Sequence, residues 1–214
     1  MNARILPVAA ALTLLALPRA LSAQVDRLAG RVDDRTRAAV TAIVDSARAS
    51  GVPATPLINK ALEGASKGAS GDRIATAVRA LAGDLGAARS ALGGAATEPE
   101  LVAGAAALRA GAEPAYLARL RSTYPRESLV VPLAVTADLV ARGVPADTAT
   151  QTVLTLMHEG VQDADLVAFR QSVERDVALG APAGGTAAAL AGAVVGGQSL
   201  PTQPGPAATR PRKP

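Results

Sequence analysis

Regularly spaced glycines constrain the fold of this chain more than any other feature of its sequence. Each follows a helical stretch and precedes a small or capping residue, which is typical of a helix C′ position in the left-handed conformation. Three of the intervals between these glycines are 17 residues long, and this predicts a repeated helix–turn unit. We expect the left-handed conformation at Gly51, Gly68, Gly94, Gly111, Gly143, Gly160 and Gly180.

A shift of 92 positions aligns the chain with itself. Ala49-x-Gly51-Val52-Pro53-Ala54 then lies over Ala141-x-Gly143-Val144-Pro145-Ala146, and Gly68 lies over Gly160. The two copies span about residues 35–86 and 127–178, and each copy contains three helical stretches. We interpret this match as an internal duplication.

Apolar residues recur at helical spacing and show no alternation of the strand type. Ile74, Val78, Leu81 and Leu85 fall on one face of a helix over about 72–92, and a similar stripe runs over about 163–179. Because the chain has two tyrosines, one phenylalanine and no tryptophan, its core must consist mainly of aliphatic residues. The prediction is an all-α helical repeat over 24–180, an α-superhelix or a compact bundle of about seven to eight short helices.

The amino-terminal 23 residues have the pattern of a signal peptide. Arg4 precedes an apolar run from Ile5 to Leu17, and small residues follow at the end of the segment. The run is shorter than the roughly 18 to 20 apolar residues that span a bilayer. We therefore expect export to the periplasm or secretion, with cleavage before Gln24 or, alternatively, before Ala23.

The carboxy-terminal segment 181–214 has low complexity. Residues 181–197 are almost wholly Ala, Gly and Val, a composition too rich in glycine to predict a firm helix. Residues 199–214 are rich in proline and end in Arg210-Pro211-Arg212-Lys213-Pro214, which predicts a disordered tail. Three clustered charges predict at most a weak contact with an anionic polymer or a membrane surface.

Charge and composition exclude several classes of function. Five of the 22 Lys and Arg lie in the signal or in the last five residues, which leaves 17 basic against 18 acidic groups in the body. The body is therefore close to neutral, and we expect no nucleic-acid partner. The chain has no cysteine, which excludes disulfides and thiolate chemistry, and no motif indicates a metal site or a cofactor.

One stretch combines cationic and aromatic side chains. Tyr116, Arg119, Arg121, Tyr124 and Arg126 follow one another closely, and Tyr and Arg are the residues most enriched at binding hot spots. These five residues form the predicted binding surface.

The functional hypothesis is a non-catalytic scaffold or interaction module of the cell envelope with a protein partner. One alternative is a hydrolase that uses Ser66, in the sequence Gly64-Ala65-Ser66-Lys67-Gly68, or His158, the single histidine. The other is a carrier of a small ligand in a helical groove. The structural interpretation of Ser66 and His158 is that each lies at the end of a helix. The acids Asp163 and Asp165 are interpreted as helix-start residues.

Overall fold

The computed structural model describes residues 26–197, which confirm the predicted all-α class. A 3₁₀ turn at Asp26–Leu28 precedes nine α-helices in this part of the chain, and no strand occurs in it. The helices are α1 (Asp34–Ala49), α2 (Ala54–Ser66), α3 (Gly71–Leu92), α4 (Glu98–Ala110), α5 (Pro114–Thr123), α6 (Val130–Ala141), α7 (Ala146–His158), α8 (Asp163–Ala178) and α9 (Ala183–Val195).

The predicted signal peptide, 1–23, and the proline-rich tail, 199–214, lie outside the described residues. Within residues 26–197, no helix is both long enough and apolar enough to cross a membrane.

Most of the joints between helices are built as the glycine pattern predicts. Gly143 has a φ of 91°, its N–H donates to the carbonyl of Val140 at 2.9 Å, and the Val144 N–H donates to the carbonyl of Leu139 at 3.0 Å. These two hydrogen bonds define a Schellman motif, in which a left-handed residue satisfies the last free carbonyls of a helix. Val144 is buried directly after the turn, so the joint also fixes how the next helix packs.

The prediction is confirmed at six of the seven glycines and is wrong at Gly94. The left-handed residue there is Gly93, with a φ of 84°, because α3 ends at Leu92 and the next residue takes the C′ position. Gly94 follows it in the turn that leads to α4.

The chain divides into two compact units, and it passes from the first to the second within α3. The first unit contains the described residues up to Ala49 together with Pro53–Arg79. In it α1 packs against α2, and Gly71 lies so close to α1 that a Cβ there would overlap the Thr36 hydroxyl. The core residues of this unit include Leu28, Val40, Val44, Leu57, Ile58, Ile74 and Val78.

The second unit contains Ser50–Val52 and the described residues from Ala80 onward. Here α4 packs against α6, α6 packs against α7 and α8, and α9 packs against α7 and α8. Phe169 is fully buried in the resulting core. Small residues bring the helices close together: a Cβ on Gly104 of α4 would lie 3.1 Å from the side chains of Leu117 and Leu92.

Helix α9 corrects the expectation for the segment after Gly180. Residues Ala183–Val195 form a helix although three of its 13 residues are glycine. Ala187 and Ala191 are buried in the core formed with α7 and α8, so the packing of this helix outweighs its poor intrinsic propensity. The helical region therefore extends to Val195, and α9 brings the described part of the chain to nine helices.

The helix boundaries are compatible with the duplication. Under the shift of 92 positions, α2 and α7 coincide at both ends, α1 and α6 end at equivalent residues, and α3 and α8 begin at equivalent residues.

Candidate functional site

The predicted binding residues lie on α5 and in the loop that follows it, but Tyr116 points into the core. It is 7 % exposed, and its hydroxyl lies 2.6 Å from Thr136 Oγ1 of α6. Thr136 donates its single hydroxyl hydrogen to the carbonyl of Pro132, so Tyr116 must donate to Thr136. Burial raises the pKa of Tyr116 well above its ordinary value, and the hydrogen bond with Thr136 offsets only part of that increase.

Arg121 holds the loop between α5 and α6 in place. Its Nη1 donates to three carbonyl oxygens, those of Tyr124 at 3.5 Å, Pro125 at 3.4 Å and Glu127 at 3.3 Å. Its Nη2 forms an ion pair with Glu100 of α4 at 2.5 Å. The Arg121 guanidinium is therefore occupied by contacts within the fold.

Glu100 is a buried acid that the sequence analysis did not identify. One carboxylate oxygen accepts from Arg121 and from the backbone N–H of Leu129 at 3.1 Å, and the other accepts from the Thr97 N–H at 2.9 Å. Burial acts to raise the pKa of Glu100, but these hydrogen bonds together hold it below its ordinary value. The signal was present in the sequence, since Thr97-x-x-Glu100 is a capping box.

Arg119 lies on the exposed side of α5, where the first turns of α5 and α7 line an open groove of about 230 Å³. We call it the Arg119 groove. Both apolar and charged side chains line it, among them Glu113, Tyr116, Arg119, Asp147, Gln151 and Leu154. Among the described residues, neither Arg119 nor the two acids forms an ion pair.

Tyr124 and Arg126 lie further along the chain, in the loop after α5. Tyr124 lines a different groove from Tyr116 and Arg119, and Arg126 is exposed. The structure thus divides the five predicted residues among the core, the Arg121 anchor, two grooves and the surface. Their role in binding stays a prediction.

Ser66 and His158 are the last residues of α2 and α7, and they align under the shift of 92 positions. Ser66 donates its hydroxyl hydrogen to the carbonyl of Glu63 at 2.8 Å. The segment Gly64-Ala65-Ser66-Lys67-Gly68 is the end of a helix, as its structural interpretation predicted, and the element before that helix is another helix and not a strand. No three acidic or histidine side chains gather into a potential metal site within residues 26–197.

Asp33 caps the first helix. Its carboxylate accepts from the Thr36 N–H at 2.9 Å and from the Thr36 hydroxyl at 2.6 Å, and these bonds lower its pKa. Asp163, by contrast, is the first residue of α8 and follows an N-cap, Gln162, that makes no side-chain capping bond.

A comparison with protein-family models found no match, and comparisons with curated proteins and with solved structures found none either.

Proposed function

We propose that this protein is an exported, non-catalytic helical scaffold that binds a protein partner in the cell envelope through the Arg119 groove. The observation that carries the proposal is that three charged side chains without an ion pair among the described residues, those of Glu113, Arg119 and Asp147, line one groove together with apolar side chains.

The lining of the groove has the composition of a protein interface. Arg119 stands beside the acids Glu113 and Asp147, so both signs of charge are available to a partner without first breaking an internal ion pair. The half-buried Leu154 supplies apolar surface beside these charges, and protein–protein contacts combine apolar and polar area in this way.

The absence of cysteine allows a sharp test with single-cysteine variants. Gln151 lines the groove, whereas Gln171 of α8 is equally exposed and does not line it. We expect a thiol-linked photocrosslinker on Gln151→Cys to capture one partner in envelope preparations, and the same reagent on Gln171→Cys to capture none. Arg119→Glu should abolish the adduct, whereas Arg126→Glu should leave it unchanged.

Equal labelling from positions 151 and 171, or an adduct that survives Arg119→Glu, would refute the groove as the binding surface. The hydrolase alternative predicts a different result, namely labelling of Ser66 by a fluorophosphonate and loss of that label in Ser66→Ala.

The proposed export has its own test. The support for it is the basic and apolar pattern of residues 1–23 followed by small residues. The intact mass of the chain from a periplasmic or extracellular fraction should correspond to a first residue of Gln24 or Ala23. A full-length mass in the cytosolic fraction alone would contradict export.

A further inference from the structure

A second groove lies where α7 turns into α8, beside the loop that joins α5 to α6. Its volume is about 560 Å³, and we call it the Tyr124 groove. The residues that matter for its chemistry are Tyr124, Glu127, Met157, Val161, Asp163 and Leu166. An aromatic ring, two carboxylates and an apolar wall therefore line the same space.

The groove favours a cationic occupant. Neither Glu127 nor Asp163 forms an ion pair within residues 26–197. Burial raises the pKa of Tyr124, and the negative charge of Glu127 raises it further. The described part of the second unit, residues 50–52 and 80–197, carries 12 acidic against eight basic residues. A cation in the groove would lie near two carboxylates and an aromatic ring.

Neither carboxylate of the groove has an acidic counterpart under the shift of 92 positions. Glu127 aligns with Arg35, and Asp163 aligns with Gly71, where a Cβ would overlap the Thr36 hydroxyl. The acidic groove therefore belongs to the second copy alone, although the helices of the two copies share their boundaries.

The end of α9 brings the carboxy-terminal segment to this end of the second unit. Helices α8 and α9 pack together and are joined by only four residues, so they run antiparallel, and the end of α9 lies beside the start of α8. Val194 accordingly packs against the same core as Leu166 and Val161. Arg210 follows Gly197 by 13 residues, which span at most about 45 Å, nearly twice the length of a 16-residue helix.

We propose that the basic segment Arg210-Pro211-Arg212-Lys213-Pro214 of the same chain occupies the Tyr124 groove. Three cations complement the two free carboxylates and the electron-rich face of Tyr124, and the proline rings match the apolar wall formed by Met157, Val161 and Leu166. The short tether keeps the local concentration of the segment high, so contacts that are weak between separate molecules populate the docked state.

Met157 provides a reporter inside the groove. It is the only methionine among residues 26–197, and the chain has just one other, Met1. The experiment uses the full chain with methyl-labelled methionine and a nitroxide on Ala208→Cys, which leaves every charge of the tail intact. We expect the label to increase the transverse relaxation of the Met157 methyl about threefold or more over the value in a chain with Arg210, Arg212 and Lys213 all changed to Gln.

The increase should disappear in about 0.5 M salt, because screening then limits the range of the attraction between exposed charges to a few ångströms. It should also disappear in Glu127→Gln/Asp163→Asn. The matched control, Glu113→Gln/Asp147→Asn in the Arg119 groove, should leave it unchanged, and circular dichroism checks that each variant folds.

Equal relaxation with the native and the Gln-substituted tail would overturn the proposal, because the effect would then come from the tether alone. An equal loss in the control pair would also overturn it, since the attraction would then be general rather than specific to this groove. Neither result depends on whether the Arg119 groove binds a partner.

Discussion

Replacing Arg121 of α5 with Ala should destabilise the second unit, because Arg121 anchors the loop between α5 and α6. The change removes the ion pair with Glu100 and the Nη1 donor to three loop carbonyls, and it leaves a carboxylate whose side chain is only 6 % exposed. Breaking a buried pair from one side costs about 3 to 5 kcal/mol. Because Arg121 is 21 % exposed and its Nε has no partner, the lower end applies, and we expect a loss of about 3 kcal/mol.

Urea unfolding followed by far-UV circular dichroism measures this loss. A change of 3 kcal/mol lowers the midpoint by roughly 1.5 M for a unit of this size, with an unchanged slope. Arg126→Ala is the matched control because Arg126 is an exposed arginine in the loop that Arg121 anchors from α5, and its effect should stay within about 0.5 kcal/mol. If Arg121→Ala changes the free energy of unfolding by no more than the same 0.5 kcal/mol, the stability of the second unit does not depend on this anchor, and the prediction is refuted.

The same network sets a dependence on pH. Since the pKa of Glu100 is lower in the folded state than in the unfolded state, its contribution to stability is fully present above the unfolded value and is lost as pH falls through the folded value. We expect Glu100→Gln to flatten the decrease in urea midpoint below about pH 4.3, the ordinary pKa of a glutamate. A decrease as steep as in the native chain would show that other carboxylates determine acid sensitivity.

Three further predictions concern single contacts. Thr136→Val should lower the free energy of unfolding by about 1 to 3 kcal/mol, because it leaves the buried Tyr116 hydroxyl without an acceptor. Tyr116→Phe should lower it by only about 1 kcal/mol. Equal urea midpoints for the two variants would contradict the assignment of Tyr116 as the donor. The side chain of Lys67, and after it that of Lys60, lowers the pKa of Glu63 to about 2. Lys67→Met should therefore raise that pKa in a carboxyl NMR titration. Gly71→Ala should lower the stability of the first unit by about 1 to 3 kcal/mol, because its Cβ overlaps a hydroxyl of α1; thermal unfolding with an unchanged midpoint would show that α1 can move aside.

Local sequence rules predicted most helix ends because those ends depend on local chemistry. A left-handed glycine followed by an apolar residue and a proline both ends one helix and starts the next, as at Gly143, and the expected boundaries of α3 and α8 are correct within one residue. Helix α9 escaped prediction because its formation depends on where Ala187 and Ala191 pack, which no local rule contains.

The site was harder to predict because proximity in sequence does not place side chains on one face of a helix. Tyr116 and Arg119 are three positions apart and line one groove. Arg121 is five positions after Tyr116, so its side chain is rotated by about 140° around the helix axis from that of Tyr116. Glu100, the partner of Arg121, lies 21 residues earlier and belongs to another helix. The anchor joins α4, α5 and the backbone just before α6, and no local sequence rule places these three elements together.

Helix α9 has a consequence for how the second unit opens. Its 13 residues include three glycines and no charged side chain, so neither propensity nor ion pairs would keep it helical in isolation. Its amides should therefore exchange with solvent through a partial opening of lower free energy than global unfolding, ahead of those of α7 and α8. Such an excursion uncovers the side of Phe169 and its neighbours that α9 covers, and a protease that cleaves after Leu179 would make it permanent.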